Sequence, residues 1–125
     1  MNDPNRRPGV AAEEAAAAYL KGQNWSLITA NYRTSRGEID IIALEGDCLV
    51  FVEVKSGRST KMGIPALRVG AIKQNRLVLT ARQYIADEEP IVNEYRFDVL
   101  SLIPNPNGEW QIEHFRDAFR PEPEE

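Results

Sequence analysis

The stretch LVFVEVKSG, residues 49–57, decides how the rest of the chain is read. Leu49, Val50, Phe51, Val52 and Val54 make an apolar, β-branched run of the kind found in strands covered on both faces. Glu53 and Lys55 interrupt it near its end. An ionised carboxylate that is buried and unpaired is strongly unfavourable, so these charges must compensate one another or hold something between them.

Just upstream, GEIDIIA (37–43) opens a second extended run that reaches Leu44, and Gly46 with Asp47 supplies a tight turn before the third run, 47–56. The two runs are expected to pair as an antiparallel hairpin. Strand side chains alternate, which puts Glu38 and Asp40 on one face and Ile39, Ile41 and Ala43 on the other. The same rule groups Leu49, Phe51, Glu53 and Lys55. If Asp40 and Glu53 project to the same side, two carboxylates face one ammonium and the pocket is net negative. A hard divalent cation with oxygen ligands, such as Mg²⁺, resolves that imbalance. A simple Glu53–Lys55 ion pair is the alternative, and it leaves Asp40 unexplained.

Further out, GVAAEEAAAAYLKG (9–22) predicts a helix, with Ala12, Ala16, Tyr19 and Leu20 on one side and Gly22 at its end. An extended run follows from Trp25 to Arg33. Pro65 suits the first turn of a second helix reaching about Ala86, since its fixed φ and missing N–H are harmless there. Strands are expected over 93–102 and 110–115, separated by the turn PNPNG (104–108). The order is α, three strands, α, two strands, which indicates a mixed sheet with helices against it and an α/β (α+β) single domain. Its span is 9–119, with 1–8 and 120–125 read as flexible termini.

The chain has 125 residues, 42% hydrophobic and 27% charged, which suits one globular domain. Cys48 is the single cysteine, so no internal disulfide or thiolate zinc site can form. Arg6 and Arg7 are followed by an Ala-rich stretch carrying Glu13 and Glu14, not by the apolar region of an export signal. No apolar run approaches the ~20 residues of a membrane helix. A cytoplasmic protein without a membrane partner is expected.

Net charge is −4, but the charge is segregated. Seven basic residues and no acidic ones lie between Val54 and Ala86: Lys55, Arg58, Lys61, Arg68, Lys73, Arg76 and Arg82. A local field of this kind can attract a polyanion despite the total, although a solvated helix face would look the same. At about 100° per residue, Val69, Leu77, Thr80 and Tyr84 lie within about 40° of Lys73, which sets this lysine along the apolar stripe. It either snorkels past the helix edge or reaches the negative pocket. His114 reads as a strand residue, Asp98 as a partner of Arg96 or a turn amide, and Trp25 and Trp110 as packing groups.

An acid in one strand followed by E-x-K in the next resembles the PD-(D/E)xK nuclease superfamily. More closely, Glu13 with Tyr19 and Leu20, then NYR (31–33), GEIDIIA (37–43), LVFVEVK (49–55), Lys73 and RFDV (96–99) resemble the YraN family of small bacterial proteins, similar to archaeal Holliday junction resolvases. The resemblance implies a restriction-endonuclease-like fold, Asp40 and Glu53 as metal ligands with Glu13 completing the site, and Lys55 as the catalytic lysine. Glu38 and Lys73 take supporting places. Ile39 stands where superfamily relatives usually carry proline, and Gly57 where they commonly carry a basic residue.

The function expected is that of a DNA endonuclease dependent on Mg²⁺ or Mn²⁺, acting on branched or structured DNA and compatible with a homodimer. Arg58, Lys61, Arg68, Lys73 and Arg76 would contact the phosphodiester backbone. Two rivals stand beside it: a non-catalytic nucleic-acid-binding module of the same fold, and a structural interaction protein with a buried Glu53–Lys55 pair.

Overall fold

In a computed structural model, which describes residues 9–57 and 70–121, the central run forms the middle strand of a five-stranded sheet. The elements are α1 (Val10–Gly22), β1 (Ser26–Thr34), β2 (Gly37–Glu45), β3 (Cys48–Ser56), α2 (Ala71–Glu88), β4 (Glu94–Pro104) and β5 (Trp110–Phe119). The strands lie in the order β1-β2-β3-β4-β5. β3 and β4 are parallel and the other three pairings antiparallel, which makes the sheet mixed. The parallel pair requires a crossover, and α2 lies within it. This is a single-domain α+β architecture consistent with a restriction-endonuclease-like fold.

Burial on both faces of β3 follows from a helix on each side of the sheet. Leu49 and Phe51 pack with Ile39, Ile42, Val99 and the α2 residues Leu77, Val78, Ala81 and Tyr84. Val50 and Val52 pack with Ile41, Ala43, Leu100, Leu102 and the α1 stripe Ala12, Ala16 and Leu20. That stripe repeats every four residues, the spacing that keeps small side chains on one helix face against a sheet. On the other side, α2 passes so close to the start of β2 that a Cβ on Gly37 would meet Thr80 Oγ1 at 3.1 Å. Glycine at 37 permits that approach.

Two expectations need correction. Helix α2 begins at Ala71, not at Pro65: Gly70 is extended (φ −65°, ψ 163°), and glycine is a poor helix former. Pro65 itself lies outside the described residues. At its other end α2 runs to Glu88, where Glu89 turns left-handed (φ 46°) and donates its N–H to the Ile85 carbonyl.

The second correction concerns the face of β2. Ile39 packs on the α2 side with Ile42, whereas Ile41 and Ala43 pack on the α1 side, so strict alternation fails across Asp40. The β2–β3 ladder also stops at the Ile41–Val52 pair. The strand is irregular at the position where Asp40 stands.

A candidate metal and phosphate site

Past the Ile41–Val52 pair, a side chain takes the place of a ladder hydrogen bond. Asp40 Oδ2 accepts the Val54 N–H at 2.7 Å. The carboxylate thereby enters the gap between the two strands. Glu53, buried at 6% exposure, stands one residue before Val54 on β3, and Glu13 comes from the first turn of α1. These three acids, from three elements, line one cavity of about 190 Å³, walled also by Gly9, Ala12 and Ser56.

The electrostatics of Asp40 follow from this crowding. Burial raises its pKa first, and the charge of Glu53 raises it further, with smaller contributions from Glu13 and Glu38. The Val54 N–H opposes them. The carboxyl is pushed up from the ordinary 3.8 to about 7. Such a group needs a proton or a cation near neutral pH.

A cation is supplied to Glu53 from the far side: Lys73 Nζ, in the first turn of α2, lies 2.5 Å from Glu53 Oε1. The lysine side chain is half exposed, and its ammonium reaches the Glu53 carboxylate. Lys55 is partly buried on β3, two residues after Glu53 and in register with Ser101 of β4. Glu38 pairs with Arg33 through Oε2 at 3.3 Å, while its Oε1 is buried with no hydrogen-bond partner. Arg76 is exposed on α2. Arg58, Lys61 and Arg68 lie outside the described residues.

Among the described residues, no three His, Cys, Asp or Glu side chains come together closely enough to hold an ion by themselves. The donor set still fits Mg²⁺, which keeps several waters and takes one or two carboxylates plus substrate phosphate oxygens. Asp40, whose charge is opposed by its surroundings, and Glu53 on the neighbouring strand would supply those two carboxylates. All the donors are hard oxygens, as that ion requires.

A second buried polar cluster was largely missed by sequence reasoning. Asp98 on β4, 1% exposed, accepts Arg96 Nε and a second guanidinium nitrogen at 2.8 and 2.9 Å and the Asp117 N–H at 2.9 Å, and lies 2.7 Å from His114 Nε2. His114 Nδ1 in turn meets the Tyr19 hydroxyl at 3.2 Å. The Asp117 amide arrives through an irregularity in the β4–β5 pairing, where Asp117 is left-handed (φ 52°). Arg96 continues the network to Glu45 at 2.9 Å, and Glu45 also binds Arg116. Trp25 lies under both guanidinium groups, at 5.6 and 5.8 Å from its ring centroid. The Arg96–Asp98 pairing and the packing role of Trp25 were legible. The burial of His114 had a signal too, since Trp110, Ile112 and His114 share one strand face.

No helix among the described residues is long and apolar enough to cross a membrane. A family model described as an uncharacterised protein family, UPF0102, matches residues 12–102. A UPF0102 protein of Syntrophus aciditrophicus is 44% identical over 115 residues, covering 92% of this chain and 90% of the relative. One from Rhodococcus opacus is 41% identical over 111 residues, 89% and 94% of the two chains. One from Dictyoglomus turgidum is 39% identical over 118 residues, 92% and 98%.

Proposed function

We propose that this chain, which belongs to the uncharacterised protein family UPF0102, the YraN family, is a metal-dependent endonuclease acting on DNA. The observation that carries this reading is the shared cavity of Glu13, Asp40 and Glu53, in which the Asp40 carboxyl is pushed up to about 7 by burial and neighbouring acids. A partly buried carboxyl whose ionisation is opposed by burial and by neighbouring acids is disfavoured as architecture and suited to a divalent ion.

Asp40 and Glu53 would hold Mg²⁺ or Mn²⁺, with Glu13 directly or through water. When bound, the ion supplies Lewis-acid polarisation of the scissile phosphate and a more acidic water. Lys55 orients the attacking water and offsets negative charge as it builds on the phosphorus centre. Val54 fixes the Asp40 carboxylate through its N–H, which limits the rotation a ligand would otherwise lose on binding. Glu53 stands on β3 at 6% exposure, with most of its side chain kept from solvent. Arg76, with Arg58, Lys61 and Arg68, would hold the phosphodiester backbone without reading sequence. A branched or otherwise structured DNA is the substrate class proposed, from the resolvase resemblance.

A binding module of the same fold that cleaves nothing gains from one observation: Glu53 already has an ammonium partner in Lys73. One experiment separates the two. Purified protein is incubated with duplex, single-stranded, flap and four-way-junction DNA in Mg²⁺, Mn²⁺ or EDTA. Cleavage that requires the divalent ion and disappears in Asp40→Asn is expected. Binding without cleavage on every substrate would leave only the binding module.

A further inference from the structure

We propose that Lys73 is the resident counter-ion of Glu53 in the metal-free protein, that a divalent cation displaces it, and that the released ammonium then takes a DNA phosphate. Metal loading and DNA binding are thereby coupled at one side chain. The inference rests on the endonuclease reading and adds a control to it.

Three features of α2 carry it. Lys73 Nζ lies 2.5 Å from Glu53 Oε1, so the ammonium and an incoming cation compete for the same carboxylate. The pair is asymmetric: the Glu53 side chain is 7% exposed and the Lys73 side chain 50% exposed. The acid is fixed, and the long lysine stem can leave for solvent or for a ligand at the mouth of the cavity. The third feature is the helix terminus itself. The first turn of α2 has no acidic residue and no side-chain cap, and it carries a lysine against the positive end of the helix dipole. A lysine there is unfavourable unless an anion faces it. Glu53 is that anion in the empty site, and a phosphate oxygen replaces it once Glu53 is engaged.

Competition for Glu53 predicts that removing the lysine improves metal affinity while impairing DNA binding. A structural ion pair would not give this opposite response. Because half of the Lys73 side chain is exposed, the competition is modest, about three- to fivefold in metal dissociation constant. Linkage also requires that a bound cation tighten DNA binding by the same factor that DNA tightens cation binding.

The test uses the full chain and two variants, Lys73→Met and Lys73→Gln, so that a folding failure in one leaves the other. Mn²⁺ binding without DNA is measured by calorimetry. Affinity for a four-way junction is then measured in Ca²⁺ and in EDTA at equal ionic strength. The variants should bind Mn²⁺ about three- to fivefold more tightly than wild type. The wild-type gain in junction affinity on adding Ca²⁺ should shrink in both, and Lys73→Arg should restore it in part. Wild type that binds Mn²⁺ while both variants bind it equally or more weakly would overturn the exchange and leave the endonuclease reading standing. Wild type that binds no Mn²⁺ would overturn both.

Discussion

Asp40 and Asp98 are both strand aspartates near α1, the first partly buried and the second buried, and their surroundings drive them in opposite directions. Burial raises the pKa of each. At Asp98 the hydrogen bonds from His114, Arg96 and the Asp117 amide outweigh burial and hold the carboxyl at about 2. At Asp40 a single amide opposes burial, and the nearest charges are the acids Glu53, Glu13 and Glu38, so the carboxyl rises to about 7. One carboxylate is supplied with donors on both oxygens, while the other is surrounded by groups that want the same compensation. The first arrangement is complete and holds the fold together. The second would be stabilised by a cation, and under the proposed function that is what distinguishes a binding site from a structural network.

The contrast breaks most visibly if Asp98 is removed. Asp98→Ala leaves a guanidinium that is 16% exposed with Glu45 and an imidazole that is 8% exposed with the Tyr19 hydroxyl, and it takes the acceptor from the Asp117 amide. A loss of about 3–5 kcal/mol in unfolding free energy is expected from denaturant titration, unchanged by Mg²⁺. Smaller in energy, but decisive for function, is Lys55→Met. Since Lys73 remains on Glu53, the variant should stay folded with a loss below that of a stranded buried charge. It should keep its junction affinity in Ca²⁺ while cleavage in Mg²⁺ falls about 10²–10³-fold, the scale of losing one group that stabilises transition-state charge. If cleavage survives, Lys55 is architectural. If stability falls equally in Mg²⁺ and EDTA by several kcal/mol, the Glu53–Lys55 pairing is structural after all.

The legibility of the two regions differed for a physical reason. The β2–β3 hairpin and the double-sided burial of β3 were readable because apolar runs, a Gly-Asp turn and sequence-adjacent strands encode them locally. The pairing of β3 with β4 and the Asp98 network depend on residues far apart in sequence, from Tyr19 to Asp117, and no periodicity joins them. Alternation placed Asp40 on the wrong footing relative to Ile41, since a carboxylate that captures the Val54 amide distorts the strand it sits on. The start of α2 was misplaced because proline at 65 is a plausible N-terminal signal, whereas Gly70 is the residue whose extended backbone precedes the helix.

The finest test of the comparison is the pH dependence of stability without metal, where each aspartate should own a separate window. Asp98 has a folded pKa of about 2, below its ordinary 3.8, so the stability it contributes is present above pH 3.8 and is lost as pH falls toward 2. Asp40 has the opposite sign. Its folded pKa of about 7 exceeds the ordinary 3.8, so between these values the folded state retains a proton that the unfolded chain has released. Stability from Asp40 is therefore full below pH 3.8 and is lost as pH rises through about 7. Asp40→Asn keeps an acceptor for the Val54 amide and removes the charge. The variant should lose the neutral-side slope, keep the acid limb, and be more stable than wild type in EDTA at pH 8 by on the order of 1–3 kcal/mol. Mg²⁺ should flatten the same slope in wild type, because a cation favours the ionised carboxyl, and it should do nothing for the variant. Urea unfolding at a series of pH values, with Mg²⁺ or EDTA, reads all of these outcomes. A wild-type slope that survives in Asp40→Asn would locate the titrating group elsewhere and remove the electrostatic support for a cation at this cavity.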